Sequence, residues 1–274
     1  MMNTIKKVTM LSIGLLSFIN HTSQLPFIVI IPSYNNEQWC QINLKSALEQ
    51  KYDNYRVMYI DDCSTDRTGE LITEIADNHP SRDKLTIQTN ATRRGALANL
   101  YDAIHSCPDK AIIVTLDGDD WFANDRVLER LNQAYADSDV WMTYGSYISW
   151  PQNSRDPWIH PLPASVIVAN SYRSYQWVTT HLRTFYARLF KMVKKEDLLH
   201  NGEFFQMTWD MAFMFPMLEM AKGHAHYIDD ILYIYNRSNP IGDRNSNRML
   251  QESLERLIRA KSSYDPIKDL FEVQ

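Results

Sequence analysis

Three carboxylates follow an apolar run in the sequence IIVTLDGDDWF, residues 112–122. Asp117, Asp119 and Asp120 lie within four positions, around the single glycine Gly118. Like charges at this range repel one another and shift each other's pKa, so their placement at the end of a buried strand is unfavourable unless a cation lies between them. Carboxylate oxygens are good ligands for a divalent cation. The spacing therefore predicts a site for Mn²⁺ or Mg²⁺.

The segments that must position these carboxylates alternate between strand and helix patterns. Apolar runs predict strands at 27–31, 57–60, 85–89 and 111–116, and apolar residues three and four apart predict helices at 37–50, 68–78 and 95–106. This alternation is typical of a parallel sheet with right-handed crossovers, whose functional residues lie at the carboxyl ends of the strands. We therefore expect an α/β fold, with a Rossmann-like, mostly parallel sheet flanked by helices.

Polar clusters follow three of the predicted strands. They are PSYN at 32–35, DDCSTD at 61–66 and DGDD at 117–120. Asp66 is typical of a helix N-cap, although a role in the crevice stays open for it. Asp61 and Asp62 precede the cap and are expected to face the crevice at the sheet edge. The three clusters should therefore meet at one site.

Composition excludes several classes of function. The chain has 274 residues, 45% of them hydrophobic, which is enough for one large domain or one and a half small ones. Its net charge of −5, without basic blocks, argues against a nucleic-acid partner. Cys40, Cys63 and Cys107 are an odd number without CxxC spacing, so we expect reduced cysteines and neither a disulfide framework nor a zinc site.

The first 24 residues form an apolar leader. Lys6 and Lys7 precede the mostly apolar stretch Val8–Ile19, which has the length of a signal-peptide core and is shorter than the ~20 residues that span a bilayer. Targeting, membrane contact and a surface-packed leader all stay open. We expect a cytoplasmic or membrane-associated protein, with peripheral membrane contact, or a location in the secretory lumen if the segment is a signal.

Longer stretches carry a family resemblance. Residues 29–72, 90–104 and 112–131 hold the PSYNN, DDCSTD, TRRG and DGDD motifs in one order. In their order and spacing they resemble the family 2 glycosyltransferases of the GT-A fold, over about Leu25 to Asn236 and most strongly up to Tyr147. The resemblance implies the nucleotide-diphospho-sugar transferase fold and the transfer of a sugar from a nucleoside diphosphate sugar, expected to be UDP-linked.

The resemblance also implies roles for individual residues on the donor side. Those expected to contact the nucleotide are Pro32, Tyr34, Asn35, Asp61, Asp62 and Arg93 or Arg94, with Asp61 and Asp62 at the base. Asp117 is expected near the ribose or donor sugar. Asp119 is expected to hold the cation on the diphosphate, with Asp120 as a second contact. A cation held there would stabilise the charge of the leaving diphosphate.

An inverting transfer also needs a base that removes the proton of the acceptor hydroxyl. Asp210 in MTWDMAFMFPMLEMA opens an otherwise apolar helix and follows a tryptophan, as the catalytic aspartate of the family often does. An aspartate in a first helical turn is also favoured by the helix dipole, so a capping role stays open. Glu203, Asp229 and Asp230 are the reserve candidates.

The chain divides into predicted regions. Residues 25–148 are the nucleotide-sugar-binding half, 149–240 the half that binds the acceptor and carries the base, and 241–274 a helical tail with a helix at 249–260. Prolines predict a loop over 149–177, whose aromatic residues either stack on a sugar or pack the loop. Apolar periodicity predicts a helix over 181–193. The acceptor is expected to be a glycan, a lipid-linked sugar or a protein hydroxyl.

One departure from the family concerns a histidine that many relatives carry after the last strand. The segment YNRSNPIGDRNSNR contains none. Arg237 or Arg244 is a candidate for contact with the diphosphate, and His224 or His226 is a candidate cation ligand. For His181 a structural role is favoured over contact with the acceptor.

Other functions fit the sequence less well. A nucleotidyltransferase of similar architecture should carry a glycine-rich loop with a lysine after the first strand, and PSYNNEQW has no glycine. A non-catalytic calcium module should have glycine and glutamate at the sixth and twelfth positions from Asp117, where Phe122 and Leu128 stand. A dehydrogenase should have GxGxxG after a strand, and none is present. The glycosyltransferase is therefore the leading prediction.

Overall fold

The computed structural model describes residues 23–241 and 248–272. The apolar stretch of the predicted leader and Arg244 lie outside the described residues. Among the described helices, none is both long enough and apolar enough to cross a membrane.

The described residues form ten strands and eight α-helices, and the strand–helix alternation predicted between residues 27 and 116 is present as β1 to β4 with α1 to α3 between them. The strands are β1 Phe27–Ser33, β2 Tyr55–Asp61, β3 Leu85–Thr89, β4 Ile112–Thr115, β5 Trp121–Phe122, β6 Met142–Trp150, β7 Thr184–Tyr186, β8 Leu199–His200, β9 Glu203–Phe204 and β10 Ala225–Asn236. The helices are α1 Cys40–Leu48, α2 Thr68–Asn78, α3 Ala96–Ser106, α4 Val127–Tyr135, α5 Ala164–Ala169, α6 Ala187–Lys191, α7 Trp209–Ala221 and α8 Arg248–Ala260.

Eight strands form one mixed sheet in the order β3-β2-β1-β4-β7-β6-β10-β5. β1 pairs in parallel with β2 and β4, β2 with β3, and β6 with β10. β7 is antiparallel to both β4 and β6, and β5 is antiparallel to β10. β8 and β9 form a separate two-stranded hairpin. The mostly parallel α/β sheet predicted from the sequence is therefore confirmed.

The central strands are buried on both faces, which explains their continuous apolar sequence. Val29, Ile30 and Ile31 of β1 have no exposed surface, and Ile113 and Val114 of β4 have none either. The polar residues that follow these strands lie beyond the last buried position. The sheet therefore presents the Pro32–Asn35 and Asp117–Asp120 segments together at one edge.

The predicted helix over 181–193 is wrong in its first half. Thr184–Tyr186 form β7, inserted between β4 and β6, and only 187–191 are helical. The Thr184 hydroxyl is buried and bonds the Tyr135 hydroxyl at 2.8 Å and that of Thr143 at 2.6 Å. Backbone pairing with two neighbouring strands outweighs the local helical periodicity, because it satisfies the buried peptide groups of this segment.

The predicted loop over 149–177 also contains structure. β6 extends to Trp150, and a short helix, α5, begins directly after Pro163. Proline is tolerated at the start of a helix because the missing N–H would have no helical partner there. The prolines of this segment therefore mark the start of a helix as well as loop positions.

The buried Arg173, which lies in neither helix, connects α8 to α7. Arg173 donates from Nε and Nη2 to the carboxylate of Glu219 in α7, at 2.6 and 2.9 Å, and from Nη1 to the carbonyl of Ile258 in α8 at 2.6 Å. Leu254 and Ile258 are the buried residues of α8. A charged pair this far from solvent destabilises the fold strongly if one partner is removed. Arg173 thus joins the two helices.

Candidate active site

A large cavity lies at the carboxyl edge of the sheet. Its volume is about 1140 Å³. Among its lining residues are Pro32, Tyr34, Asn35, Asp62, Arg93, Arg94, Asp117 and Asp119. We call it the donor cavity. Of the ten site residues predicted from the sequence, it brings together seven from the ends of three strands and the segment before α3.

Asp62 is positioned in this cavity by donors from the start of α3. It accepts hydrogen bonds from the backbone N–H of Arg94 at 2.9 Å and of Gly95 at 2.7 Å, and from Asn90 Nδ2 at 2.8 Å. Burial alone would raise the pKa of Asp62, but the surrounding hydrogen-bond donors outweigh it and lower the pKa. Asp62 is therefore an ionised acceptor.

Asp61 does not line either cavity described here. Its Oδ1 accepts the Ser64 backbone N–H at 3.1 Å and a short hydrogen bond from the Ser64 hydroxyl. The side chain is buried, so these bonds hold the turn that follows β2. The two adjacent aspartates point to opposite faces, as successive strand residues do. The structure therefore separates them, with Asp62 in the cavity and Asp61 in the turn.

The β1 loop is fixed to the loop after β2. Ser64 Oγ accepts the Asn35 backbone N–H at 2.9 Å, and Asn35 Oδ1 accepts the Thr65 N–H at 2.8 Å. The Arg93 guanidinium lies 3.9 Å from the centre of the Tyr34 ring. Stacking of this kind leaves a flat, positively charged surface. The donor cavity therefore has an aromatic and cationic wall opposite its carboxylates.

The Asp117–Asp120 segment passes unusually close to β1. A Cβ atom at Gly118 would lie 2.6 Å from both Cβ and Oγ of Ser33, so no larger residue fits without displacing β1. Asn43 Nδ2 donates to the carbonyls of Asp117 and Asp120 at 2.8 and 2.7 Å. The single glycine of the motif is thus explained by packing.

The three carboxylates of this segment have different surroundings. Asp119 faces the donor cavity and its Oδ2 accepts Asn239 Nδ2 at 2.8 Å. Asp120 is 1% exposed and accepts the Tyr233 hydroxyl at 2.6 Å and the Asn236 N–H at 2.7 Å. Asp117 lies where the donor cavity meets a second cavity. Only Asp120 is outside the donor cavity.

Burial and mutual repulsion act on the protonation of this cluster. Burial raises the pKa of Asp119. Burial and then the charges of Asp119 and Asp117 raise the pKa of Asp120 well above its ordinary value. A positive charge among the three would reverse both effects. The electrostatics therefore favour a bound cation.

The donor atoms of the cluster fit a divalent cation. Asp117, Asp120 and His181 each offer one ligand atom within 4.8 Å of the others. Burial and the charge of Arg183 lower the pKa of His181 well below its ordinary value, which keeps the imidazole neutral, as a ligand must be. Asp119, with Asn239 beside it, offers oxygen atoms on the side of the donor cavity. The carboxylate and amide oxygens suit Mg²⁺ or Mn²⁺, whereas an imidazole ligand favours a transition metal over Mg²⁺.

A second cavity of about 620 Å³ adjoins the donor cavity. We call it the acceptor-side cavity. The two share the lining residues Asp117, Trp209, Tyr235 and Arg237. Asp210 lines the second cavity from the first turn of α7, and its Oδ2 accepts Arg183 Nη2 at 2.6 Å. The predicted base thus lies across the junction from the predicted cation site.

The reserve candidates for the base lie elsewhere. Asp229 and Asp230 are exposed on β10 and pair with Arg155 and Arg130. Glu203 lines the donor cavity from the β8–β9 hairpin. Among the four candidate carboxylates, only Asp210 lines the second cavity.

Of the described residues considered for the missing histidine, which are Arg237, His224 and His226, only Arg237 lines the cavities. It lines both of them and pairs with Asp156. His224 stacks on Trp141, with ring centres 3.8 Å apart, and neither it nor His226 lines either cavity. The structure thus places His224 in a packing role and both histidines of GHAHY outside the two cavities.

Sequence reasoning missed three contributors to the site. Asn239 and Tyr235 lie beyond the motifs, and His181 was favoured as structural. Asn239 stands three residues after β10, in the segment where relatives were expected to carry a histidine, so its position was a usable signal. His181 reaches the cluster only because β7 inserts beside β4, which the local pattern did not predict.

Curated relatives match this chain in part. An uncharacterized glycosyltransferase of Haemophilus influenzae is 35% identical over 119 residues, 43% of this chain and 46% of that protein. Glycosyltransferase GlyG of Streptococcus pneumoniae is 24% identical over 222 residues, 76% of this chain and 70% of that protein. The Escherichia coli protein WfgD, a UDP-Glc:alpha-D-GlcNAc-diphosphoundecaprenol beta-1,3-glucosyltransferase, is 30% identical over 120 residues, 43% of this chain and 44% of that protein. The chain thus spans just under half the length of two of these relatives.

Solved structures share the fold. Residues 1–349 of S. aureus TarS, in complex with UDP-GlcNAc, superpose with a TM-score of 0.61 at 17% identity, over 85% of this chain and 65% of that one. The mannosyltransferase PcManGT of Pyrobaculum calidifontis, in complex with GDP-Man and Mn²⁺, gives 0.58 at 21% identity, over 89% and 67%. The predicted GT-A fold is confirmed.

The family assignment rests on the sequence match. The family described as Glycosyl transferase family 2 matches residues 28–207, which is well over half of the chain and includes every predicted donor-side residue. The order of motifs, the sheet and the strand-end site agree with this match. This chain belongs to glycosyl transferase family 2.

Proposed function

We propose that this chain transfers a sugar, with inversion, from a nucleoside diphosphate sugar to an acceptor hydroxyl, in a reaction that depends on a divalent cation. One observation carries the proposal: two cavities meet at Asp117, with a carboxylate cluster on one side and Asp210 on the other. A transferase needs this arrangement because donor and acceptor must approach each other from opposite sides. Family membership supports the proposal.

The nucleotide is proposed to bind along the Tyr34 and Arg93 wall. The base would stack near Tyr34 and Asn35, and the ionised Asp62 would accept a hydrogen bond from it. Of the two adjacent aspartates, Asp62 is the better candidate because it lines the donor cavity, whereas Asp61 does not and accepts the Ser64 N–H in its turn. Pro32 shapes the start of the cavity, and Arg94 contributes its backbone N–H to Asp62. TarS and PcManGT, which share the fold, bind UDP-GlcNAc and GDP-Man.

Asp119 and Asp117 are proposed to present oxygens to the cation on the side of the diphosphate. Neither Asp120 nor His181 lines the donor cavity, so Asp120 would support this site from its buried side and His181 from the acceptor-side cavity. When bound, the cation would neutralise the negative charge that develops on the diphosphate. Asn239 would hold the Asp119 carboxylate in place through its 2.8 Å hydrogen bond.

Asp210 is proposed as the base. The acceptor oxygen would form a bond to the anomeric carbon of the donor sugar, the bond from that carbon to the diphosphate oxygen would break, and the acceptor proton would pass to Asp210. The electron pair would leave with the diphosphate. Arg183 would orient the carboxylate through its 2.6 Å bond. Attack from the acceptor-side cavity, opposite the diphosphate, would invert the anomeric configuration.

These residue roles assign different functions to different segments of the chain. We assign donor binding mainly to residues 25–148 and acceptor binding and proton transfer mainly to 149–240, with the tail from 241 closing the acceptor side through α8. The acceptor hydroxyl would belong to a glycan, a lipid-linked sugar or a protein side chain.

Calorimetric titration with UDP-, GDP- and CDP-sugars tests the proposal, first with Mn²⁺ and then with EDTA. We expect one donor to bind with Mn²⁺ and to bind much more weakly with EDTA. Arg56→Ala, a change on the outer face of β2 away from both cavities, serves as the control and should bind like the wild type. Absence of binding by every donor under both conditions would refute the transferase proposal.

A further inference from the structure

The acceptor-side cavity has aromatic walls. Its lining includes Tyr147, Trp158, Trp177, Trp209 and Tyr235. Trp158 is 39% exposed, a large apolar surface for a side chain that borders a cavity. Aromatic rings offer flat apolar faces, and the C–H face of a sugar ring is flat and apolar in the same way. A polyprenyl chain would instead need an extended groove without carboxylates.

The three arginines that line this cavity are each paired with a carboxylate. Arg183 pairs with Asp210, Arg237 with Asp156, and Arg248 with Glu252. Each cationic side chain that lines the cavity is thus already matched by a carboxylate. A phosphate or a uronic acid needs guanidinium or ammonium groups that are not neutralised in this way. The cavity is therefore suited to an uncharged ligand.

Hydrogen-bonding groups are present between the aromatic walls. Asp156 accepts the Tyr147 hydroxyl at 2.6 Å and pairs with Arg237, which fixes its carboxylate at the cavity wall. Fixed carboxylates and amides are suitable partners for sugar hydroxyl groups, because each offers acceptors in a set direction. An apolar face bounded by such groups matches a pyranose ring.

Helix α8 provides one wall of this cavity. Arg248, Gln251 and Glu255 line it and are spaced three and four residues apart, which places them on one face of the helix. Leu254 and Ile258 are the buried residues of α8 and hold the helix on the core. This helix lies beyond residues 28–207, the part of the chain that matches the family. The wall is therefore a feature of this chain that the family match does not account for.

We propose that the acceptor-side cavity binds an uncharged terminal pyranose of a saccharide, stacked on Trp158, with Gln251 of α8 selecting among sugars by its hydrogen bonds. The inference rests on the proposed transferase function and narrows its acceptor. One hydroxyl of this pyranose lies toward Asp210, and the rest of the saccharide extends out of the cavity past the exposed face of Trp158.

Saturation-transfer NMR on the full chain with Mn²⁺ and UDP tests the inference. The probes are methyl glucoside, methyl galactoside and methyl N-acetylglucosaminide as neutral pyranosides, with methyl glucuronide, glycerol 3-phosphate and a serine-containing peptide as the alternatives. We expect saturation of at least one neutral pyranoside and of none of the alternatives. The affinity of Trp158→Ala for the pyranoside that saturates should be roughly tenfold lower than that of the wild type, because the stacking surface is removed.

Trp150→Ala is the matched control, since Trp150 is the same residue type at 37% exposure and lines neither cavity. It should bind pyranosides like the wild type, and both variants should retain wild-type affinity for the nucleotide sugar by calorimetry. Gln251→Ala should change the order of affinity among the three neutral pyranosides.

The outcomes separate this inference from the proposed function. If a nucleotide sugar binds but only glucuronide, glycerol phosphate or the peptide saturates, the neutral-pyranose inference is overturned and the transferase proposal stands. If Trp158→Ala and Trp150→Ala lost pyranoside affinity equally, the inference would also be overturned. If no nucleotide sugar binds, both proposals fail together.

Discussion

The donor cavity and the acceptor-side cavity share four lining residues but are built in different ways. The donor cavity takes its motif residues from short segments that directly follow β1, β2 and β4 or precede α3, and the rest of its wall from α3, residues 195–209 and residues 235–241. The acceptor-side cavity draws on β6, the segment before β7, the start of α7, the end of β10 and α8. The motif side of the donor cavity is thus a product of sheet topology, whereas the acceptor-side cavity depends on how distant segments pack.

The two cavities are also held differently. On the donor side, backbone N–H groups fix the functional side chains, as those of Arg94 and Gly95 fix Asp62. On the acceptor side, ion pairs do so, as between Arg183 and Asp210. Side-chain pairs can be replaced without altering the strands. Asp62 is therefore held by the backbone of the fold, whereas Asp210 depends on a side-chain partner.

The largest expected effect separates the two cavities by function. Asp210→Asn should lower the rate of sugar transfer roughly 10²- to 10⁴-fold, because the amide cannot accept the hydroxyl proton. Nucleotide-sugar affinity should be unchanged, since Asp210 lines only the acceptor-side cavity. Single-turnover transfer and calorimetry measure the two quantities.

Asp230→Asn is the matched control for this change, because Asp230 is an exposed aspartate that pairs with Arg130 outside both cavities. Its transfer rate should equal that of the wild type. Near-normal turnover in Asp210→Asn would remove the base assignment and reopen the choice for Glu203.

The next effect concerns the attachment of α8. Arg173→Met should reduce the free energy of unfolding by about 3–5 kcal/mol, because it leaves the Glu219 carboxylate buried without its partner. In protein that remains folded, pyranoside affinity should fall while nucleotide-sugar affinity is kept. Urea unfolding and calorimetry measure these changes.

Arg130→Met is the control for a salt bridge of similar length at the surface. Arg130 and Asp230 are 2.7 Å apart and partly exposed, so its loss should cost about 0–1 kcal/mol. Equal losses of stability in the two variants would show that burial of the Arg173 pair has no special role. They would also weaken the view that ion pairs hold the acceptor side together.

The difference between the cavities explains what sequence reasoning could predict. Asp62 and Asp119 were predictable because a strand fixes the direction of the residues that follow it. A short sequence motif is enough to identify where such a strand ends. His181 and Tyr235 were not predictable, because their approach depends on β7 and β10 joining the sheet from distant segments. Local periodicity contains no information on such pairing, and for 181–193 it indicated a helix where a strand forms.

A smaller effect distinguishes the carboxylates of the cluster. With Mn²⁺ present, Asp119→Asn should weaken nucleotide-sugar binding roughly tenfold to a hundredfold, because it removes a ligand on the diphosphate side. Asp120→Asn should have less effect on binding, since Asp120 is buried and already hydrogen-bonded to Tyr233 and Asn236. Calorimetry with Mn²⁺ measures both. Wild-type protein in EDTA should bind like Asp119→Asn, and a larger loss in Asp120→Asn would instead assign the cation to the Asp117, Asp120 and His181 group.

The smallest expected effect is a dependence of stability on pH without cation. Because the pKa of Asp120 is raised in the folded chain, the unfolded chain releases this proton first as pH rises from the ordinary aspartate range toward the raised value. The free energy of unfolding should therefore fall over that window. Asp120→Asn should remove this part of the slope, and urea unfolding of both proteins across pH measures the difference. Saturating Mn²⁺ should also remove it from the wild type, because a bound cation favours the ionised carboxylates. An identical slope in both proteins would mean that the protonation of Asp120 is not the source of this pH dependence.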